Sequence, residues 1–484
     1  MIKWMRSMAI SFNRYINLKA RRKPSGFLLA FFLDFITFHD MNSIKSDFPI
    51  FANNPEMIYL DSASTLQKPQ TVIDAVSQYL GHDCANIHRG NYTLSHRSEE
   101  IYESARSTVG RFIWASDSSE VIFTANSTDS ANILAWSMLR SGWISAGDNI
   151  ILTELEHHAN LLPWKMVAQQ VWATIRRVQI GIDGILDPQK VLDLIDNKTK
   201  VIALSICSNV TGVVWREEIR EVCEHLDSPP APLIERGDPH LSPLPKREGE
   251  RLEWWSPLIV VDASQAAAHF PLELSDLGCD FCFFTGHKLG ALTGIWVLRW
   301  NKELLKNLQP GKVWWGAVSE VTKDDVEYIW APDSWEPGTP NVVGAMSLAK
   351  SIQYIEMLEL EEESDDSSWS TKPKWYDVIS EVEKPLIAYC LQEFKKLEDE
   401  WKLELLWWYE SERIGVFSFV PKTILISDLS QKMSNAGIAL RTGTHCAHIY
   451  HAGLQKNPTH TCRISLWAYT HMSDVERFFE VLEN

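Results

Sequence analysis

Phe283-Phe284-Thr285-Gly286-His287-Lys288 closes a short apolar run that begins at Cys279. Upstream, a second apolar run, Leu258 to Val261, ends in Asp262, with Gln265 just beyond. Each run has the length and bulk of a buried strand, so each polar residue falls at a strand end. A carboxylate at one strand end and a lysine at another is the pairing that a pyridoxal phosphate enzyme needs. The aspartate faces the pyridine nitrogen, the lysine amine takes the aldehyde, and the protein supplies aim and charge.

Working outward, short apolar runs alternate with helical spacing. Strands are expected at Ile58 to Asp61, Val121 to Thr124, Asn149 to Thr153, Val201 to Ile206, Leu258 to Val261, Asp280 to Phe284 and Ile295 to Leu298. Helices are expected over Glu99 to Trp114 and Thr128 to Leu139. Alternation of this kind predicts an α/β fold with a mostly parallel central sheet flanked by helices. Ligands on such sheets bind at the carboxyl ends of the strands, where Asp262 and Lys288 fall.

The C-terminal part reads as a smaller α+β unit. It has strands at Ile414 to Phe419 and Arg463 to Trp467, and a helix at Leu429 to Asn435. An amphipathic helix, Ser473 to Leu482, starts at a serine cap. The expected organisation is an extension over residues 1–40, a large domain over 41–358 and a small domain over 375–484. Two stretches break the pattern. Residues 228–250 hold six prolines and many charges and read as an exposed, disordered insertion. Residues 359–374 read as a linker. Residues 1–40 carry seven Lys/Arg against two Asp and a short apolar stretch, Phe27 to Phe38. They suit a targeting peptide or an extension upstream of a start at Met41.

A chain of 484 residues is long enough for a large core, and 45% hydrophobic residues is ordinary for a globular protein. A net charge of −17 argues against a nucleic-acid surface, which needs a basic patch. The Phe27 to Phe38 stretch is too short to span a bilayer. Eight cysteines without disulfide-like spacing point to a reducing compartment, the cytoplasm. Cys279-x-x-Cys282 lies in a strand-like run and reads as buried structure. The tryptophan pairs 254–255, 314–315 and 407–408 have no functional reading beyond core filling or dimer contact.

Other residues carry chemistry. Ser127-Thr128 opens a helix after the Val121 strand, where free N–H groups and two hydroxyls suit a phosphate; Ser127 as a plain helix cap is the competing reading. Thr285 and His287 flank the lysine and could complete a phosphate cup. His157-His158 follows another strand, and an imidazole there can stack on a pyridine ring and move protons. Cys446, in Arg441-Thr-Gly-Thr-His-Cys-Ala, sits on a loop and reads as a nucleophile. The nearby His445, His448 and His451 raise a Cys/His metal site as a rival, but their spacing matches no zinc pattern, and no metal is expected. Arg463 suits a substrate carboxylate.

These pieces together resemble the class V aminotransferase-fold enzymes, most closely the group II, SUF-type cysteine desulfurases, a subgroup shared with selenocysteine lyase-like enzymes. The likeness runs from about Met41 to the C-terminus. It rests on Tyr59-Leu-Asp-Ser-Ala-Ser, Ala85-Asn-Ile-His-Arg-Gly, Thr93-Leu-Ser, Glu156-His-His-Ala-Asn, Pro163-Trp, Ser208-Asn-Val and Val261-Asp-Ala-Ser-Gln. Further matches are Gly286-His-Lys, Glu336-Pro-Gly-Thr-Pro-Asn, Arg441-Thr-Gly-Thr-His-Cys-Ala and Cys462-Arg-Ile-Ser.

The resemblance implies a fold-type-I pyridoxal phosphate enzyme that converts L-cysteine to L-alanine through a persulfide on Cys446, supplying sulfur for iron–sulfur cluster assembly. It implies Lys288 as the cofactor's amine and acid/base, Asp262 on the pyridine nitrogen, Gln265 on the phenolic oxygen and His157 on the ring face. Ser127, Thr128, Thr285 and His287 would hold the phosphate, with Thr339 reaching in from the other subunit of a homodimer. Asn209 and Arg463 would bind the substrate carboxylate, and His88 and Arg89 would line the entrance. A sulfur-acceptor protein is the implied partner. Selenocysteine or another amino acid as substrate, and a diverged copy without catalysis, are the alternatives.

The chain departs from the family pattern in places. Asn126-Ser127-Thr128 stands where a Gly-Thr-Thr turn is usual, and a side chain at Asn126 would crowd a phosphate if φ were positive there. Leu289-Gly-Ala-Leu-Thr-Gly lacks a turn-setting proline. The Gly-rich run that comes next is reduced to Trp315-Gly316-Ala317. These departures put rate and partner docking at issue, and leave every catalytic group in place.

Overall fold

The computed structural model describes residues 41–484 apart from 89, 182, 228–255, 302–303, 305–307, 313–317, 324, 330, 359–374, 407–411 and 454–459. The 1–40 extension, the proline-rich insertion, the 359–374 linker, the three tryptophan pairs and Arg89 therefore lie outside the described residues. The chain divides into two compact units, Met1–Ile44 and Lys45–Asn484. Every strand and every candidate site residue belongs to the second unit.

Fifteen strands are described among these residues. In chain order they are β1 (Ile58–Tyr59), β2 (Val121–Thr124), β3 (Asn149–Thr153), β4 (Thr174–Val178), β5 (Thr199–Ser205), β6 (Leu258–Asp262), β7 (Phe281–Thr285) and β8 (Trp296–Trp300). The rest are β9 (Val318–Val321), β10 (Val326–Tyr328), β11 (Leu403–Leu405), β12 (Val416–Pro421), β13 (Ile438–Ala439), β14 (Arg441–Gly443) and β15 (Thr461–Ser465). A seven-stranded sheet has the order β2-β8-β7-β6-β5-β3-β4. The pairs β3–β4, β3–β5, β5–β6 and β6–β7 are parallel, and β8 alone runs against its neighbours. The expected mostly parallel α/β sheet is present. Every residue of β2, β3, β6 and β7 is buried, because helices cover both faces of a parallel sheet, and this is why their sequences read as unbroken apolar runs.

Two reversals at β8 leave β2 pointing the same way as β7. The carboxyl ends of β2, β3, β5, β6 and β7 thus open on one edge. The register sets Ser205 beside Asp262, and Asp262 beside Phe283. Glu336 fixes the far side of this edge. Its carboxylate takes hydrogen bonds from Arg106 Nη1 at 2.6 Å and Nη2 at 2.9 Å, from the Tyr102 hydroxyl at 2.6 Å and from Phe123 N at 2.6 Å. The Pro337–Pro340 loop is anchored there.

The C-terminal residues build an antiparallel sheet, β11-β12-β15-β14. Three local readings change. The Ile58 strand is only two residues long and pairs with β13, leaving it outside the central sheet. Its backbone joins the C-terminal layer through Ile58 N to Gly437 O at 2.9 Å and Ser465 N to Leu60 O at 2.8 Å. The last helix, Met472–Glu483, is capped by His471 in a reciprocal box with Asp474, in place of the expected serine. Cys279 precedes β7, and only Cys282 lies in the strand; both are buried thiols whose pKa burial raises. The β4 strand was not visible in the sequence because it is half exposed and carries two arginines.

No helix among the described residues is long and apolar enough to cross a membrane.

Candidate active site

The strand ends and the C-terminal sheet enclose a cavity of about 460 Å3, within the usual range for small-ligand sites. Ser127, His157, Asn209, Asp262, Gln265, His287, Lys288, Cys446 and Arg463 all line it. Nine residues singled out along more than three hundred positions of chain therefore meet at one place. Thr128 and Thr339 are exposed and outside this lining; Thr285 is buried behind it; His88 is exposed, at φ 75°, with Nδ1 3.8 Å from the Glu99 carboxylate.

Lys288 follows β7 in a single tight turn, Gly286–Lys288. A Cβ at Gly286 would come within 2.6 Å of the Ile295 carbonyl, so only glycine lets the chain turn here. Burial lowers the Lys288 amine to about 8; Asp262 pulls it back up, and Arg463 pushes it down. A neutral amine is the form that attacks an aldehyde. Asp262 Oδ1 accepts from Ser264 N at 2.8 Å, and burial raises its carboxyl against that bond and the Lys288 charge.

His157 caps the helix His158–Val171 by accepting from Ala159 N on Nδ1 at 3.0 Å. Burial, with the Lys288 charge, pulls its pKa down to about 3, so the ring is neutral. Beneath it, Glu156 is fully buried and accepts from Thr153 Oγ1, Asn160 Nδ2 and Ser205 Oγ at 2.8, 2.8 and 2.6 Å. Burial outweighs these donors and lifts its carboxyl to about 7.

The helix Ser127–Arg140 is capped by Asn126, whose Oδ1 accepts from Asp129 N at 2.7 Å. The cap reading for Ser127 is thereby corrected: Ser127 is the first helical residue and lines the cavity. Asn126 has φ −171°, extended backbone that any residue adopts, so the substitution of glycine costs no strain. His287 packs against the Trp296 ring, and burial lowers it to about 4. The turn after the lysine is set by Gly290 and Gly294, both at positive φ, and Asn341 Nδ2 donates to the Gly294 carbonyl at 2.7 Å. That bond secures the turn without the missing proline.

The C-terminal sheet brings the other half. Arg463 donates from Nη1 to Asn209 O at 3.0 Å and from Nη2 to Asp61 Oδ1 at 3.2 Å and Ser64 Oγ at 2.6 Å. Its Nε is buried without a protein partner. Asn209 spends Nδ2 on the His445 carbonyl at 2.8 Å, which leaves its side-chain oxygen for the cavity. His445 and Cys446 have φ 49° and 60°. Left-handed conformations in non-glycine residues cost on the order of 1–3 kcal/mol each and persist only where surrounding bonds hold them. The bonds here are Asn209 to His445 O, His158 N to Cys446 O at 2.9 Å, Ala447 N to Thr444 O at 2.8 Å, and His445 Nε2 with Thr461 Oγ1 at 2.8 Å. Cys446 itself is exposed.

Several participants were not assigned roles from the sequence. Asp61, Ser64, Ser205, Ser264, Arg441 and His448 complete the wall or hold it. Asp61, Ser64, Ser264 and Arg441 sit inside quoted motifs, which is the only signal that could have found them. Cys207, a buried thiol whose pKa burial raises strongly, also lines the cavity. Among the described residues no group of three or more His, Cys, Asp or Glu side chains is placed to hold a metal ion.

The profile of the aminotransferase class-V family matches residues 58–227 and 255–478. The chain belongs to the aminotransferase class-V family. It is 31% identical over 449 residues to a cysteine desulfurase of Escherichia coli O7:K1, covering 92% of this chain and 98% of that protein. It is 32% identical over 447 residues to a probable cysteine desulfurase of Staphylococcus epidermidis, covering 92% and 96%. The fold superimposes on an apo structure of a cysteine desulfurase from Thermococcus onnurineus NA1 with a TM-score of 0.76 and 27% identity, over 91% and 97% of the two chains.

Class-V enzymes of this kind use pyridoxal phosphate, and the cavity fits that group. It offers a lysine amine near neutrality, a buried carboxylate beyond it, a neutral imidazole, and Ser127 at a helix start beside His287. The Thr285 hydroxyl behind the wall and Arg463 Nε in it are buried without protein partners, polar atoms that a bound ligand would satisfy.

Proposed function

We propose that this chain is a pyridoxal phosphate-dependent cysteine desulfurase. It takes the sulfur of L-cysteine onto Cys446 as a persulfide and releases L-alanine. The observation that carries the reading is the convergence of Lys288, Asp262, Arg463 and Cys446 on one cavity from two different sheets. The names of the similar proteins support the same activity.

Lys288 would hold the cofactor through its amine, with Asp262 for the ring nitrogen, Gln265 for the phenolic oxygen and His157 for the ring face. Ser127 and His287 would hold the phosphate from the cavity wall, with Thr285 behind them, and the exposed Thr128 and Thr339 of the partner subunit in a homodimer would complete the cup. The bound cofactor supplies an electron sink that activates the Cβ–S bond of the substrate.

The chain's own groups do the rest. Arg463 and Asn209 bind the substrate carboxylate and fix its orientation. His88 and Arg89 line the way in. Lys288 would move protons at the substrate carbons; an amine with a pKa of about 8 is well matched to both directions of that transfer. His157 stays neutral, so it stacks without adding charge beside the lysine. The Cys446 thiolate attacks the substrate sulfur. The S–S bond forms as the Cβ–S bond breaks, the electron pair leaves with the substrate carbon, and protonation there completes alanine. A sulfur-acceptor protein then takes the sulfane sulfur from the exposed Cys446 towards iron–sulfur assembly, in the cytoplasm.

The test is purified holoenzyme with L-cysteine under reductant. Alanine and sulfide should appear in equal amounts. Cys446→Ala should stop sulfide release and keep the cofactor absorbance, and borohydride should place the label on Lys288. Turnover of selenocysteine alone would move the substrate, and a protein that never takes up cofactor would remove the enzyme reading altogether.

A further inference from the structure

His158 and His448 form a stacked pair beside the cysteine loop, with ring centroids 4.8 Å apart and planes within 18°. His158 is the first residue of its helix, and His448 begins the short helix His448–Gly453 just after Cys446. The His158 ring nitrogen Nε2 lies 3.1 Å from His448 Nδ1 and accepts the main-chain N–H of His448 at 3.4 Å. The main-chain N–H of the same His158 donates to the Cys446 carbonyl at 2.9 Å. One residue thus grips the loop on both sides of Ala447. Residues 445 and 446 sit in left-handed backbone that relaxes without such grips.

We propose that the His158–His448 pair is a positioning device for Cys446, which in its neutral form holds the cysteine loop in the left-handed conformation and on protonation lets it go. The proposal rests on Cys446 being the nucleophile.

The chemistry sets the direction. As an acceptor, His158 Nε2 satisfies both the ring and the main-chain N–H of His448. Once Nε2 carries a proton it can accept neither. Burial and His448 both lower the His158 pKa, so the gripping form prevails until the solution turns acid. The charged neighbours do not replace this titration. His157 and His445 are held neutral, at about 3 and about 2. His451, which His448 and His460 influence, is lowered by burial as well. Lys288, Arg441 and Arg463 face Cys446 from the cavity and stay cationic through the acid range.

The experiment is alkylation of Cys446 in the full-length holoenzyme with iodoacetamide between pH 5 and 8, read by peptide mass spectrometry so that the exposed Cys84 does not contribute. Turnover is not required, so a failed desulfurase reading and a failed positioning reading give different records. For a rigid loop, log rate against pH follows the thiol's own ionisation. The wild type should bend away from that line, severalfold, at its acid end. His158→Gln keeps an accepting oxygen that does not titrate, and should abolish the bend. His448→Gln keeps a donor but removes the ring whose charge lowers the His158 pKa, and should move the bend to higher pH. A straight wild-type line, or a bend that survives His158→Gln, overturns the proposal. Should His158→Gln fail to hold cofactor, an unmoved bend in His448→Gln overturns it alone.

Discussion

Arg441 lies directly across from Arg463 in the β14–β15 ladder, and both guanidinium groups close on the carboxylate of Asp61. Burial would raise the Asp61 pKa, but the bonds from Arg441 and Ser64 and the charge of Arg463 hold it below the usual carboxylate range. Asp61 comes from the segment that follows β1, so a residue near the start of the described chain orients an arginine near its end. Asp61→Asn removes the shared charge and leaves two cations facing each other. The expected result is a rise of about tenfold or more in KM for L-cysteine, the loss of one charged hydrogen bond, with cofactor absorbance intact. Steady-state kinetics beside a cofactor titration check it; an unchanged KM would deny Asp61 this role.

As the proposed amine for the cofactor, Lys288 should set the pH dependence of its uptake. Its amine is lowered to about 8, so the neutral, reactive fraction grows as pH rises to about 8 and levels beyond it. An ordinary lysine would go on gaining up to about 10.4. Mixing apoprotein with pyridoxal phosphate across pH 6 to 10 and following the bound-cofactor absorbance reads this directly. A rate still climbing well above pH 9 contradicts the burial argument.

Thr285→Val should have effects of opposite sign on two measurements. The hydroxyl is buried without a protein partner, so replacing it with a methyl should stabilise the apoprotein by about 1 kcal/mol. The same change should weaken cofactor binding if Thr285 backs the phosphate. Denaturation of apoprotein and equilibrium dialysis of the cofactor separate the two; unchanged affinity would remove Thr285 from the phosphate site.

Glu336→Gln breaks a buried pair. The Arg106 side chain is 2% exposed and that of Glu336 7%, and the carboxylate also serves Tyr102 and Phe123. Removing one partner leaves a buried guanidinium with only the exposed Glu103 carboxylate and the Val121 carbonyl, at a cost of about 3 kcal/mol. A lowered urea midpoint is expected, together with looser cofactor binding if the proposed phosphate contact of Thr339 depends on the anchored loop. A midpoint equal to wild type would mean that water reaches Arg106.

Much of the site was legible because strand ends are. Leu258–Asp262 and Phe281–Thr285 read as buried strands from their unbroken apolar residues, and the polar residue after each had to lie at the sheet's edge. Ser127 and His157 follow strands in the same way, whereas Asn209 came only from the family resemblance. The helix caps were harder, since Asn126 and His471 compete with nearby serines and only backbone geometry chooses between them. Ile58 to Asp61 reads as a strand, but the partner of the observed Ile58–Tyr59 strand, β13, lies hundreds of residues away and leaves no local mark.

The amino-acid sequence by itself determined the class of fold, the aspartate–lysine pairing and the residues able to carry the chemistry, because burial periodicity and side-chain type are local properties. Only the tertiary structure decided that Arg463 and Cys446 share a cavity with Lys288, that Asp61 binds two arginines, and that His158 grips the cysteine loop. Those relations join segments far apart in the chain, and their geometry comes from how two sheets pack, which no single stretch of residues encodes.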